Sequence, residues 1–246
     1  MSIDKGRRAI LGGFAAAAGT AIAPGIFLLA PAAARAPDAP ASDKVRWGLL
    51  IDTNKCETGC DACVAACFKE NGIGNSGRPA SDPQWIRKVK VENPKTGFTR
   101  EFPVMCQHCA APPCVDVCPT GASFKRQDGI VLVDKHTCIG CRYCIMACPY
   151  KARSFVHEDL TDQKPDVPRG KGSVEGCTLC VHRVDRGQIP ACAEACAAKD
   201  SKAAGAITFG DLNDAKSDIA KKIAAVATKQ IRADLGLDPG VRYLGL

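Results

Sequence analysis

Large apolar side chains are scarce in this sequence. Aromatic residues make up only 5% of its 246 residues, and it contains three methionines and two tryptophans. A chain of this length can form one or two domains, each of which needs a packed core. Another component must therefore help to hold the interior together, and the sixteen cysteines are the candidate.

The motifs of several protein classes are absent. The sequence has no GxGxxG segment and no phosphate-binding loop, which argues against a nucleotide site. No Cys-x-x-Cys pair is followed directly by His, so covalent haem attachment is excluded. We also find no Ser-His-Asp arrangement. None of these motif searches therefore indicates a substrate site.

The cysteines form four tight groups, in which most neighbours lie two or three residues apart. They are group I (Cys56, Cys60, Cys63, Cys67), group II (Cys106, Cys109, Cys114, Cys118), group III (Cys138, Cys141, Cys144, Cys148) and group IV (Cys177, Cys180, Cys192, Cys196). The even number allows a disulfide framework, but bridges across such short loops are geometrically awkward. Zinc is a second alternative, although zinc sites usually pair two CxxC segments across a longer gap. Three close cysteines, a fourth and then proline, as in groups II and III, follow the bacterial ferredoxin pattern.

Every group ends in a cysteine that follows its neighbour after three intervening residues, about one helical turn. In two-cluster ferredoxins this last cysteine binds the neighbouring cluster instead of its own. The repeat therefore predicts reciprocal pairs of groups and four [4Fe-4S] clusters. His108 and His182 offer an alternative as Rieske-type ligands, but with sixteen cysteines available we expect them to donate N–H groups near a cluster or simply to pack.

The formal net charge of +7 counts cysteine as neutral. Each oxidised cluster with four thiolates carries a charge of about −2. Residues 1–41 contribute +2, so the remaining +5 would fall to roughly −3 with four clusters bound. The basic residues are therefore interpreted as compensation for buried clusters, and we find no signal for nucleic-acid binding.

The N-terminus has the pattern of an export signal. Arg7 and Arg8 in "GRRAIL" precede an uncharged stretch from Ala9 to Ala34 that is rich in alanine and glycine. This is similar to a twin-arginine signal, with cleavage after Ala34 or Ala41. A transmembrane helix is the alternative, since the uncharged run exceeds about 18 residues, but Pro24 and the glycines weaken it. Because metal binding is coupled to folding, a route that carries folded proteins to the periplasmic side of the cytoplasmic membrane fits an iron–sulfur protein.

The local patterns predict an α+β fold of short strands, short helices and long loops. "LLIDTNKC" and "VLVDKHTC" indicate strands that lead into cysteine loops, and "WIRKVKVEN" and "REFPVMC" indicate two more. "DACVAACFKEN" and "RYCIMACP" predict short helices that leave these loops. The plan is that of two interleaved ferredoxin-like modules, each with two [4Fe-4S] clusters.

We divide the chain into a signal over 1–41, a four-cluster domain over 42–210 and a C-terminal segment over 211–246. In that segment we predict a helix over 211–235 and an exposed apolar tail, "GLDPGVRYLGL", that docks on a membrane subunit. Residues 71–84 and 157–176 are predicted to be surface loops.

The segment from "CQHCAAPPCVDVCP" to "CIGCRYCIMACPY", with "CTLCVHRVDRGQIPACAEAC" and "AITFGDLNDAKSDIAKKI", resembles the four-cluster iron–sulfur subunits of the dimethyl sulfoxide reductase family. The likeness covers roughly residues 45–226 and includes residues other than the cysteines. It implies the following ligand sets. Cluster 1 is held by Cys56, Cys60, Cys63 and Cys196, cluster 2 by Cys67, Cys177, Cys180 and Cys192, cluster 3 by Cys106, Cys109, Cys114 and Cys148, and cluster 4 by Cys118, Cys138, Cys141 and Cys144.

Within the family, the signal, the modest length and the Cys-x-x-Gly-Cys form of group I resemble DsrO, the exported iron–sulfur subunits of DsrMKJOP complexes of dissimilatory sulfur metabolism. This implies an NrfD-type quinone-reactive membrane subunit as partner, a multihaem cytochrome c as a further partner, and attachment to the membrane through a partner or an uncleaved signal. The alternative is the electron-transfer subunit of an exported molybdopterin oxidoreductase. In either case we expect a subunit that relays single electrons and has no substrate site of its own, not an enzyme alone. Group I has one extra residue, with Gly59 available for the tighter turn, and "SKAAGA" lengthens the link after group IV.

Overall fold

The computed structural model describes residues 21–23, 26–27, 40–74, 76–161, 163–198 and 205–246. The twin arginines and most of "SKAAGA" lie outside these residues, as does nearly all of the signal. Two short strands of the signal are described, β1 (Ala21–Ala23) and β2 (Ile26–Phe27), and they pair antiparallel. Among the described residues, no helix combines the length and apolarity needed to cross a membrane.

A three-stranded sheet forms the centre of the main core. Its middle strand is β3 (Trp47–Asp52), which pairs antiparallel with β10 (Ile207–Asp211) and parallel with β11 (Val241–Leu244). Leu49 and Ile51 on β3 are fully buried and Leu50 is nearly so. This continuous apolar run is typical of a strand that is covered on both faces.

Three antiparallel hairpins carry the chain between the cysteine groups. They are β4 (Ile86–Glu92) with β5 (Thr99–Met105), β6 (Ser123–Lys125) with β7 (Val131–Val133), and β8 (Arg153–Phe155) with β9 (Val174–Gly176). The strands predicted from the four sequence segments correspond to β3, β4, β5 and β7. The mixed content of short strands and helices is confirmed.

The helices are short, and all but one contain cysteines or follow directly after one. They are α1 (Ala62–Asn71), α2 (Pro113–Asp116), α3 (Tyr143–Ala147), α4 (Val181–Val184), α5 (Ala191–Ala197) and α6 (Asp218–Ala225), with a 3₁₀ turn at Ala233–Leu235. The two helices predicted from the cysteine segments are α1 and α3. Because α1 packs against α5, the helical cysteines of groups I and IV share one interior.

Cysteine sulfur fills much of the space that aromatic side chains leave. Nine of the sixteen cysteines are buried. Those of groups I and IV belong to the same core as the central sheet, whereas those of groups II and III line two smaller cores. The cysteines therefore take part in the packing of the interior, as expected from the scarcity of large apolar side chains.

The predicted helix over 211–235 is wrong in extent. Residues 207–211 form strand β10, and the helix covers only Asp218–Ala225, capped by Ser217, whose Oγ accepts a hydrogen bond from the Ala220 N–H at 3.2 Å. The helix ends because Lys229 pairs with Tyr243, through N–H···O bonds of 2.7 and 2.9 Å. A tertiary contact thus overrides the helical periodicity.

The prediction that the C-terminal tail is exposed is also wrong, whereas its docking on a membrane subunit stays a hypothesis. Val241 and Tyr243 are buried in β11, next to the central strand. The Tyr243 hydroxyl accepts a hydrogen bond from Gln107 Nε2 at 3.2 Å and donates one to the Pro103 carbonyl at 3.3 Å. The tail completes the core.

The segment over 157–176 is not simply a solvated loop. Arg169 and Glu175 form a buried ion pair of 2.7 Å, and Arg169 also donates to the Gly72 carbonyl at 2.6 Å. This pair ties the loop to the C-terminal end of α1.

Replacing Tyr243 with alanine should lower the free energy of unfolding by about 3–5 kcal/mol, because it empties a buried aromatic site. Arg242→Ala, on the same strand, should cost no more than about 1 kcal/mol because it removes only a partly exposed ion pair with Asp238. Denaturant unfolding of both variants checks this, and equal losses would contradict the core role of the tail.

Candidate iron–sulfur sites

All sixteen cysteines lie in the described part of the chain, and all are free thiols. The structure therefore contains none of the disulfides that the even number allowed. Nor do any three Cys, His, Asp or Glu side chains among the described residues converge as ligands of a single ion.

Groups I and IV meet as two mixed sets of thiols. Burial raises the pKa of the Cys63 thiol to about 12; Lys88 opposes this, and the nearby thiols of Cys196, Cys56 and Cys60 raise the pKa further. The first three cysteines of group I thus lie around the last cysteine of group IV.

Cys67 lies one turn further along α1 and has different thiols as neighbours. Burial raises the pKa of its thiol, and the thiols of Cys192 and Cys180 add to this effect. The pKa of Cys177 is raised by burial and by Cys67, among others. Helix α1 therefore points one cysteine into each of two neighbouring sets.

Groups II and III form the other two sets. Burial raises the pKa of Cys109 to about 12, and the thiols of Cys114 and Cys148 add to this. Cys114 and Cys148 also raise the pKa of the buried Cys106 thiol.

The thiols of the remaining set line one small pocket. Its thiols are Cys118, Cys138, Cys141 and Cys144. Cys141 is the one exposed cysteine of the sixteen. These neighbours fit the four quartets that the family resemblance implies, here called sets 1 to 4 in the order of the predicted clusters. That each quartet holds one cluster stays a prediction.

Beyond the effect of burial, thiols of different sets raise one another's pKa at three places. Cys63 of set 1 acts on Cys67 of set 2, Cys106 of set 3 acts on Cys177 of set 2, and Cys144 of set 4 acts on Cys114 of set 3. These neighbours order the sets from 1 to 4, and this order is called the row below.

N–H groups point at the sulfur atoms in three of the four sets. The described donors and their N···S distances are Asn71 Nδ2 to Cys67 at 3.5 Å, Leu179 N to Cys177 at 3.4 Å, Ala152 N to Cys148 at 3.5 Å, Ser123 N to Cys118 at 3.3 Å, Val174 N to Cys138 at 3.4 Å and Arg153 Nη2 to Cys114 at 3.2 Å. Such donors favour thiolate over thiol. Partial burial acts to raise the pKa of Cys118, but hydrogen bonds from Ser123 and Thr120 hold that pKa below its ordinary value. Thiolate quartets with N–H donors fit an iron–sulfur cluster.

The two histidines beside cysteines are held by other partners. His108 Nδ1 accepts the Val131 N–H at 3.0 Å, so the proton lies on the buried Nε2. Burial, and next the charge of Arg153, lower the pKa of His108 to about 3. His182 Nε2 contacts Glu70 Oε1 at 2.9 Å. The prediction that these histidines pack or donate near a cluster agrees with this placement, although neither N–H reaches a described sulfur.

Sequence reasoning missed the charged residues among the sulfurs. Arg153, Lys135 and Glu175 are all buried or largely so beside groups II, III and IV. Arg153 follows Cys148 by five residues in "CPYKAR", and Glu175 precedes Cys177 by two. A lone charge beside a cysteine is usually solvated, so no local pattern distinguishes these residues from surface charges.

Comparison with known proteins agrees with this geometry. Two families described as "4Fe-4S dicluster domain" match residues 55–122 and 98–205. The chain is 41% identical to the Hdr-like menaquinol oxidoreductase iron-sulfur subunit 1 of Archaeoglobus fulgidus, over 94% of both chains. It is 38% identical to a protein of Halobacterium salinarum named as a dimethyl sulfoxide reductase iron-sulfur subunit, over 80% of this chain and 78% of the relative. It is 33% identical to the menaquinone reductase iron-sulfur cluster-binding subunit of Nitratidesulfovibrio vulgaris, over 82% of this chain and 89% of the relative.

These relatives are named as iron–sulfur subunits of larger oxidoreductases. This confirms the prediction of a subunit of that kind, and the matched domains confirm [4Fe-4S] clusters as the cofactor type.

Gly140 and Gly59 provide a matched test of the cysteine loops, since each directly precedes a cysteine and has a positive φ, +72° and +79°. A Cβ on Gly140 would overlap the Gly172 carbonyl oxygen, whereas one on Gly59 would meet nothing within 4 Å. Gly140→Ala should therefore lower the iron content from about sixteen to about twelve per chain through loss of set 4. Gly59→Ala should keep its iron, at a strain cost of about 1–2 kcal/mol. Iron analysis of the purified variants checks this, and full iron in Gly140→Ala would contradict it.

Proposed function

Because this chain belongs to the family of iron–sulfur subunits built from 4Fe-4S dicluster domains, we propose that it relays single electrons through four [4Fe-4S] clusters in two interleaved ferredoxin-like modules. The observation that carries the proposal is the grouping of sixteen free thiols into four sets of four. A thiolate-bound [4Fe-4S] cluster exchanges one electron at a time, at a potential that burial, charge and hydrogen bonds to sulfur adjust.

The proposed ligands are the four sets as described, one set for each cluster. Helix α1 supplies Cys63 to set 1 and Cys67 to set 2, so a single turn of helix fixes the spacing between two sites. The backbone N–H groups of Ser123 and Val174 stabilise negative charge on two sulfurs of set 4. Buried side chains around sets 2 and 3 exclude water from the middle of the row.

A row of four sites has two ends, and each needs a redox partner. At one end, Cys141 of set 4 is exposed; at the other, Cys56 and Cys60 of set 1 are partly exposed. The middle sets are more deeply buried, so electrons enter and leave at sets 1 and 4.

The partners we propose are those of a membrane complex on the periplasmic side of the cytoplasmic membrane. The protein is exported folded by the twin-arginine route and contacts an NrfD-type quinone-reactive subunit, with a multihaem cytochrome c as a further partner, as in DsrMKJOP complexes. The names of two relatives, which refer to menaquinol and menaquinone, support a quinone-reactive partner. The match to the first of these over nearly the full length of both chains supports the same type of subunit.

A second candidate is the electron-transfer subunit of an exported molybdopterin oxidoreductase. The relative named as part of a dimethyl sulfoxide reductase favours it. The two candidates share the row of clusters and differ in the partner at one end.

Cysteine variants test the row and its pairing. The purified protein should contain about sixteen irons and as many sulfides per chain, and zinc or no metal would overturn the function. Cys67→Ala and Cys192→Ala should lose the same electron paramagnetic resonance signal after reduction, because both belong to set 2. Cys63→Ala, which lies on the same helix as Cys67, should lose a different signal. Loss of one common signal by the Cys63 and Cys67 variants would contradict the pairing.

Purification from the native membrane distinguishes the two candidates. We expect an integral membrane subunit and bound c-type haem to copurify without molybdenum, as identified by mass spectrometry and metal analysis. Copurified molybdenum would favour the second candidate, and a lone soluble protein would contradict both. As a control for export, a variant with Arg7→Lys and Arg8→Lys should retain its iron, remain in the cytoplasm and be absent from the membrane complex.

A further inference from the structure

Arg153 is a buried arginine that faces sulfur instead of carboxylate. It lies at the start of β8 and is only 8% exposed. Its Nη2 donates to Cys114 Sγ at 3.2 Å, and its buried Nη1 has no partner among the described residues. The charges that act on it most strongly are the thiols of Cys114 and Cys106, from set 3, and Cys144, from set 4.

Other shielded arginines of the described chain have carboxylate partners. Arg169 is paired with Glu175, and Arg126 is paired with both Asp128 and Asp185. Arg153 makes no such ion pair among the described residues. A guanidinium removed from water without a counter-charge is strongly disfavoured, and arginine does not escape the cost by losing its proton. The sulfur atoms around Arg153 must therefore supply the negative charge.

The neighbouring titratable groups differ from Arg153 in their partners. Lys135 is near Cys138 and Glu175, but its Nζ donates to the Val174 carbonyl at 2.6 Å and not to a sulfur. His108 accepts the Val131 N–H at Nδ1, so its ring carries one proton and no charge. Among these described residues, Arg153 is the buried cation that donates a hydrogen bond to a cysteine sulfur.

We propose that Arg153 raises the reduction potentials of the clusters held by sets 3 and 4 above the values that these sites would otherwise have. The proposal rests on the ligand sets given under the proposed function. A cluster gains negative charge when it is reduced, so a fixed buried cation beside its sulfurs stabilises the reduced form. The effect reaches both sets, because Arg153 interacts by hydrogen bonding with Cys114 of set 3 and with Cys144 of set 4.

The effect has a boundary within the row. The main influences on Cys177 of set 2 are burial and other cysteines, and those on Cys63 of set 1 are burial, Lys88 and other cysteines. The potentials of the half made from groups II and III should therefore depend on Arg153 more than those of sets 1 and 2.

The test is a redox titration of the iron-loaded full chain, followed by electron paramagnetic resonance. Arg153→Gln removes the charge but keeps an amide donor, and Arg153→Lys keeps the charge. Arg142→Gln is the matched control, because Arg142 directly follows Cys141 of set 4 but is exposed, where water screens its charge. The Cys67, Cys192 and Cys63 variants described above assign the signals of sets 1 and 2, and the remaining two belong to sets 3 and 4.

We expect Arg153→Gln to lower the potentials of the clusters held by sets 3 and 4 and to leave that of set 1 unchanged. Arg153→Lys should restore most of the shift, and Arg142→Gln should produce a smaller one. Unchanged potentials in Arg153→Gln, equal shifts in all four clusters, or a shift in Arg153→Lys as large as in Arg153→Gln would overturn the proposal.

Iron content separates this inference from the function on which it rests. If the unaltered chain holds no iron, the function itself fails. If it holds about sixteen irons and the potentials do not respond, only the role of Arg153 fails. If Arg153→Gln loses iron, its potentials cannot be compared and the test rests on Arg153→Lys. If the charge has the proposed role, Arg153→Lys keeps its iron and the potentials of sets 3 and 4. Loss of the iron or of those potentials in Arg153→Lys would overturn the proposal.

Discussion

The structure depends on one requirement, the burial of many cysteine sulfurs close together. Thiols at this density raise one another's pKa, so the interior resists holding them as bare thiolates. Only a bound group that takes up the negative charge, together with N–H donors and cations, makes such an interior favourable. The scarcity of aromatic side chains follows from the same requirement, since the clusters occupy the space that a conventional core would fill.

The secondary structure is arranged to meet this requirement. Most helices are too short to be stable alone, and they serve to place cysteines one turn apart. The central sheet lies on the side of groups I and IV, and the chain returns to it at β10 and β11 to close that core. Groups II and III have smaller apolar cores and rely on short hairpins whose backbone N–H groups reach sulfur. The two halves of the row are thus supported differently, one by packing and the other mainly by hydrogen bonds to sulfur.

What could be predicted from the sequence was local. Spacing within each group identified the ferredoxin pattern, and short apolar runs identified β3 and β7 because they directly precede cysteine loops. The pairing between groups joins residues more than a hundred positions apart, such as Cys63 and Cys196, and only the resemblance to a family supplied it. The C-terminal strand was missed for the same reason: Tyr243 pairs with Ile51 in the central sheet, and no local pattern signals so distant a partner. Arg153 and Glu175 were missed because burial of a charge is decided by tertiary packing.

The distribution of positive charge refines the interpretation based on net charge. Most described arginine and lysine ion pairs lie at or near the surface, where they do little for the clusters. Compensation is instead concentrated at a few positions: Lys88 lowers the pKa of Cys56 and Cys63, and Arg153 lowers that of Cys106 and Cys114. Lys88 is only partly buried, so water screens its effect, whereas Arg153 is buried and acts at nearly full strength. Arg169 is equally shielded but is paired with Glu175, whereas Arg153 directs its charge at sulfur. We therefore expect the potentials of the clusters to depend less on the overall charge of the chain than on the position of a buried cation of this kind.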